Sequence, residues 1–160
     1  MKRISFFLVT ALFSFTFAQT GGEATGGSAS SAEGLVTVQS AYSVEETLAN
    51  LETALEENGL ITVAAVDHSA NAANVGLELP PTHLVVFGNP NVGTPLMQSA
   101  HTVAIDLPQK MLIYEDEAGD VYAAYNDPQY LAERHGLSEV DEQLTTIANA
   151  LSNLANAATQ

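Results

Sequence analysis

The side chains in this sequence that could do chemistry stand at the bends between its apolar runs. Asp67-His68 closes the run of residues 60–66. A carboxylate beside an imidazole can orient it for acid–base work, although adjacent residues on a strand point to opposite faces and the pair need not touch. Asp67 or Ser69 is equally suited to capping a following helix. The second bend runs Gly88-Asn89-Pro90-Asn91-Val92-Gly93-Thr94-Pro95-Leu96-Met97-Gln98. Here Thr94 is a natural N-cap, with Pro95 in the first helical position, where its missing N–H costs nothing. Backbone N–H groups of such a turn can seat an anion, but this one lacks the Lys of a phosphate loop. If the strands leading into both bends are parallel, the bends share one edge of the sheet, the usual ligand site of open α/β sheets. The cleft would be lined by Asp67, His68, Asn89, Thr94, Gln98 and Tyr125. These mostly neutral donors and acceptors suit a small polar ligand that is bound rather than transformed.

Two other chemistries compete with that non-catalytic reading. His68 could act as general acid or base, oriented by Asp67 or Asp106, with the helix start at Thr94 stabilising negative charge. Alternatively, Met97 and His101, four apart, could share a helix face and offer a thioether and an imidazole to copper or haem iron. His68, His83, His101 and His135 form no H-x-H or H-x-x-x-H pair, so no metal ligands are assigned and the cofactor is left open. Glu115-Asp116-Glu117 with Asp120 has the charge of a calcium loop without its spacing and reads as a solvated hairpin tip. P-loop, G-x-S-x-G, H-E-x-x-H and C-x-x-C motifs are all absent, so the sequence decides neither for nor against an enzyme.

The elements that must position these residues are mostly plain in the pattern. Residues 35–41 are β-branched and follow Gly34, which predicts a strand. Ser43 and Glu46 form a capping box for a helix with Val44, Leu48, Leu51 and Leu55 on one face, stopped by Asn58-Gly59. Residues 60–66 are almost continuously apolar, as in a strand covered on both faces. A short helix to Val75 and a strand over 82–87 follow, and the connections are long enough for parallel βαβ crossovers. Residues 111–115 and 120–125 read as a hairpin, Asp127 caps a helix ending at Gly136, and Ser138 with Asp141 opens a last helix bearing Val140, Leu144, Ile147, Leu151 and Leu154. The expected fold class is α+β: one compact domain with a mixed five-stranded sheet, βαβαβ then a β-hairpin, helices packed on it and a C-terminal helix.

Composition sets the outer limits. The chain has 160 residues, Asp+Glu 19 against Lys+Arg 4, a formal charge of -15 and no Cys. Nucleic acid and anionic membrane surfaces are excluded as partners by that balance. Lys2 and Arg3 precede an apolar run over 4–17, ending Thr16-Phe17-Ala18, the pattern of a secretory signal too short to span a bilayer. Residues 1–18 are therefore expected to be a signal peptide cleaved near Ala18, leaving an exported, periplasmic or extracellular protein without a membrane anchor. Residues 19–34, rich in Gly, Ser, Ala and Thr, read as a flexible linker, with the folded domain over 35–158.

Four ordered blocks carry a family likeness. They are Asp67-His68-Ser69-Ala70 with Ala73 and Gly76-Leu77; Phe87-Gly88-Asn89-Pro90 with Gly93-Thr94-Pro95-Leu96-Met97-Gln98; Ile105-Asp106-Leu107-Pro108; and Tyr125-Asn126-Asp127-Pro128 with Tyr130-Leu131 and Arg134-His135-Gly136-Leu137. Over residues 44–137 the chain resembles the domain-of-unknown-function 302 family. The resemblance implies a compact α+β fold, often a homodimer, and no established activity. Ala100-His101-Thr102 stands where many relatives carry a small residue or Cys before a Pro, so a redox or metal role there would need His101 to replace the Cys.

Overall fold

A computed structural model describes residues 32–160. The expected signal, and the linker up to residue 31, lie outside these residues. Five strands, β1 (Leu35–Gln39), β2 (Ile61–Asp67), β3 (Thr82–Gly88), β4 (Gln109–Glu115) and β5 (Val121–Asn126), form a sheet of order β1-β5-β4-β3-β2. The helices are α1 (Val44–Glu57), α2 (His68–Asn74), α3 (Pro90–Ser99), α4 (Pro128–His135) and α5 (Asp141–Thr159), with a 3-10 turn over His101–Ile105. The α+β class is as expected.

The sheet is not mixed. Every neighbouring pair is antiparallel, and β1 and β2 form opposite edges. A parallel crossover needs a helix whose apolar stripe covers the sheet. The seven residues of α2, His-Ser-Ala-Asn-Ala-Ala-Asn, bury none of their side chains, so α2 cannot do this and β3 returns antiparallel beside β2.

Alternation along β3, β4 and β5 puts Val85, Phe87, Met111, Ile113, Ala123 and Tyr125 on one face, where all are buried. Helices α1 and α5 lie together against that face and contact β4, β5 and β1. The Ser43 capping box fixes the start of α1: Ser43 Oγ accepts from the Glu46 N–H at 3.2 Å, and Glu46 Oε2 accepts from the Ser43 N–H at 3.3 Å. Leu51 and Leu55 of α1 meet Leu144, Ile147, Leu151 and Leu154 of α5 in one core. No Ser138 cap forms: α5 begins after Val140 without a side-chain cap bond.

The turn ahead of β1 is tied to the start of α4. The Gly34 carbonyl accepts from the Asp127 N–H at 2.9 Å, and Gly34 has φ +76° with the Tyr130 ring directly over its Cα. A Cβ there would fall 2.2 Å from Tyr130 Cγ. Gly34→Ala is therefore expected to cost about 2 kcal/mol or more in urea unfolding, through a left-handed backbone and a displaced ring. A cost below ~0.5 kcal/mol would mean that this junction is not held as described.

Candidate functional site

The antiparallel return of β3 separates the two bends expected to share a cleft. Asp67 pairs with His83 while Ile61 pairs with Gly88, so Asp67-His68 and Asn89 lie at opposite rims, about 20 Å apart along β2. His68 is exposed. Asp67 caps α2, its Oδ1 accepting from the Ala70 N–H at 2.8 Å and from Ser69 Oγ at 2.6 Å. These bonds, the Ala70 N–H foremost, hold the carboxyl below its ordinary value of 3.8, and the His83 imidazole across the ladder lowers it further. A depressed carboxyl contributes stability above its unfolded value that is lost as pH falls through the folded one. The melting temperature of Asp67→Ala is thus expected to lie below that of the parent at neutral pH and to converge on it below pH 3.8. A gap that widened toward acid would contradict this.

The other expected residues divide. Gln98 is exposed, and Tyr125 is buried in the core, where burial pushes its phenol up against a smaller lowering by Ser152. Met97 and His101 do not share a helix, because α3 stops at Ser99 and His101 begins the 3-10 turn with its ring exposed. Helix α3 itself starts five residues earlier than Thr94 and Pro95 suggest. Asn89 is the cap, its Oδ1 accepting from the Asn91 N–H at 2.9 Å, with Pro90 in the first turn and Pro95 inside the helix. Both Asn-Pro and Thr-Pro satisfy the cap-then-proline rule; the earlier one prevails, and Pro95 removes one helical bond in return.

Asn89 and Thr94 do meet in a cavity, of a different character from the polar cleft expected. It holds about 450 Å³ between α3, the lower end of β2 and β3, and α5. Phe87 and Leu60 form its floor, Val92, Leu96 and Met97 one wall, Ile147, Leu151 and Leu154 another, and Leu107-Pro108 an end. None of the lining residues is charged; Asn89, Thr94, Gln109 and Thr146 supply the polar side chains. The volume falls within the range of small-molecule sites. It is apolar because α5 turns one aliphatic stripe to the sheet, while α3, with Gly93 and Pro95, brings few bulky residues to fill the gap. At Gly93 a Cβ would meet only Leu107 Cδ1 at 3.8 Å.

A second cluster escaped the sequence reading as a unit. Asp106 Oδ2 lies 2.6 Å from His135 Nε2 and 3.5 Å from Arg134 Nη1, while Thr102 Oγ1 lies 3.0 Å from His135 Nδ1. The His135 side chain is 6% exposed and that of Asp106 14%. Carboxylate, imidazole and hydroxyl stand in the order of a hydrolase triad. Thr102, however, lines neither this cavity nor the much smaller one beside it. The cluster instead ties the 3-10 turn to the end of α4. The signal available was that Asp106 and His135 stand in two of the four motif blocks.

Comparisons with known proteins agree with this fold. The model of the family described as domain of unknown function DUF302 matches residues 36–154. Among curated proteins, the fluoride-specific ion channel FluC 1 of Brucella suis biovar 1 and that of Brucella abortus biovar 1 are each 47% identical over 104 residues, 65% of this chain. The chain spans only 41% and 38% of those two proteins, about two fifths of their length. Among the described residues no helix is long and apolar enough to cross a membrane. A crystal structure of an uncharacterized conserved protein DUF302 from Bacillus stearothermophilus has the same fold, with TM-score 0.72 at 20% identity over 79% of this chain and 99% of that one.

Proposed function

The chain belongs to the DUF302 family, and on that footing we propose that it is a non-catalytic binding module whose cavity under α3 holds a small, neutral, apolar molecule. The observation that carries this reading is the 450 Å³ hollow lined without a single charged side chain. At the ~30 Å³ that a water-sized group occupies, it accommodates roughly fifteen non-hydrogen atoms. Asn89, Thr94, Gln109 and Thr146 can orient one neutral polar end of such a ligand. An anion finds no counter-charge there and meets the field of a chain at -15, which also argues against reading fluoride traffic from the longer relatives into this cavity. The polar ligand expected from the two bends is replaced by an apolar one for this reason. Export through the signal over 1–18 belongs to the same proposal, and N-terminal sequencing of secreted protein tests it, with cleavage after Ala18 expected.

Thermal shifts in paired compounds test the ligand class. Decanol should raise the melting temperature by several degrees once it exceeds its dissociation constant about a hundredfold, since binding to the native state alone then adds ~2.7 kcal/mol. Decanoate at the same concentration should add little. Equal stabilisation by the carboxylate, or none by decanol and other neutral compounds of that size, would overturn the reading.

A further inference from the structure

Two of the polar side chains in the cavity wall are placed to read a ligand. Thr94 and Thr146 are exposed, and the Thr146 hydroxyl already donates to the Glu142 carbonyl at 2.9 Å. Asn89 and Gln109 are half-buried. Gln109 lies directly opposite Phe87 in the β3–β4 ladder, so its side chain stands beside the ring that floors the cavity. Asn89 follows Phe87 by two residues and keeps an extended backbone, with φ -133° and ψ 119°, so alternation sends it to the same face. The two residues are thus diagonal neighbours, about 7–8 Å apart at the backbone, a separation that long side chains can bridge.

Their free capacity is for donation. Asn89 Oδ1 accepts from the Asn91 N–H at 2.9 Å, which fixes the orientation of the amide and leaves both Nδ2 hydrogens without a partner among the described residues. Gln109 makes no side-chain hydrogen bond among those residues either. No fully buried side-chain N or O there lacks a partner, so the Gln109 amide opens onto the cavity it lines and can turn its own N–H groups toward a ligand. We infer that this amide pair favours a ligand bearing a carbonyl oxygen, so that the molecule held beneath α3 is an apolar ketone or ester. The inference rests on the ligand reading above and sharpens it. A hydrocarbon of the same shape would cover the two amides without pairing them, and a site with unpaired donors discriminates against the analogue that lacks the acceptor.

Equilibrium dialysis against benzophenone and diphenylmethane, which differ only in a carbonyl replacing a methylene, tests this. Gln109→Leu, a replacement of similar volume, should weaken benzophenone about tenfold and leave diphenylmethane unchanged or tighter. Asn89→Ser keeps a capping oxygen for α3 while removing the Nδ2 donors, and it should show the same selectivity. Equal benzophenone affinity in the parent and both variants, or an equal loss of both compounds, would overturn the inference and leave the cavity a ligand site. A parent that binds neither compound would overturn the ligand reading as well. If the variants fail to fold, the carbonyl stretch of benzophenone bound to the parent decides. It must fall below its frequency in hexane, as hydrogen bonding to the oxygen requires, and a hexane-like frequency overturns the inference.

Discussion

Phe87→Ala is expected to lower the unfolding free energy by about 4 kcal/mol in urea denaturation. Phe87 is 2% exposed, sits on the helix-covered face of β3 between Thr62 and Gln109 in the ladder, and is both core and cavity floor. Truncating it removes transfer energy and joins a new void to the existing hollow, which the surrounding sheet is too constrained to collapse. A loss of less than ~1.5 kcal/mol would mean that the ring is not packed where described. The enlarged cavity should also accept a bulkier neutral ligand than the parent does.

The second large effect is expected at the Asp106–His135 clamp. Asp106→Ala leaves a nearly enclosed imidazole without its partner and removes the only side-chain ion pair that Arg134 makes among the described residues. Breaking such a pair by truncating one side costs about 3 kcal/mol. His135→Ala should cost less, because Asp106 keeps Arg134 at 3.5 Å and Thr102 is exposed. The double replacement should cost scarcely more than Asp106→Ala alone, since that change already destroys the shared interaction. Additive losses in this cycle would show that the two groups are not coupled. Neither variant should alter binding of a neutral apolar compound in the folded protein, because neither residue lines the cavity.

What could be read from the residues was local, and what could not be read was relational. The capping box of α1, the Asp127 cap and Gly136 stop of α4, and the hairpin turn, where Asp116 Oδ1 accepts from the N–H groups of Ala118 and Asp120, depend on residues a few positions apart. The α5 stripe was equally legible, because its period of three to four is strict. β2 misled because an apolar run without alternation usually means burial, whereas here it is an exposed edge. The clue against the parallel crossover was present in α2, which has no apolar stripe to cover a sheet. The site was misplaced by the same error. Asn89 and Thr94 do line a cavity, but the sequence paired them with the polar bend at the far rim, while the partners that the fold supplies are Ile147, Leu151 and Leu154, more than fifty residues on. The His135 clamp was hidden likewise, since nothing in spacing links residues 29 positions apart.

Fluorescence titration with 1-aminoanthracene, a neutral probe of about the cavity's size, bears most directly on the proposed function when run on the parent and on Ala150→Trp. Ala150 lines the cavity from the exposed side of α5, so an indole there fills the hollow at little cost to the core. The parent should bind one probe per chain, and Ala150→Trp should weaken binding at least about tenfold with its melting temperature nearly unchanged. Absence of binding by the parent, or equal binding by both folded proteins, would contradict a ligand site beneath α3.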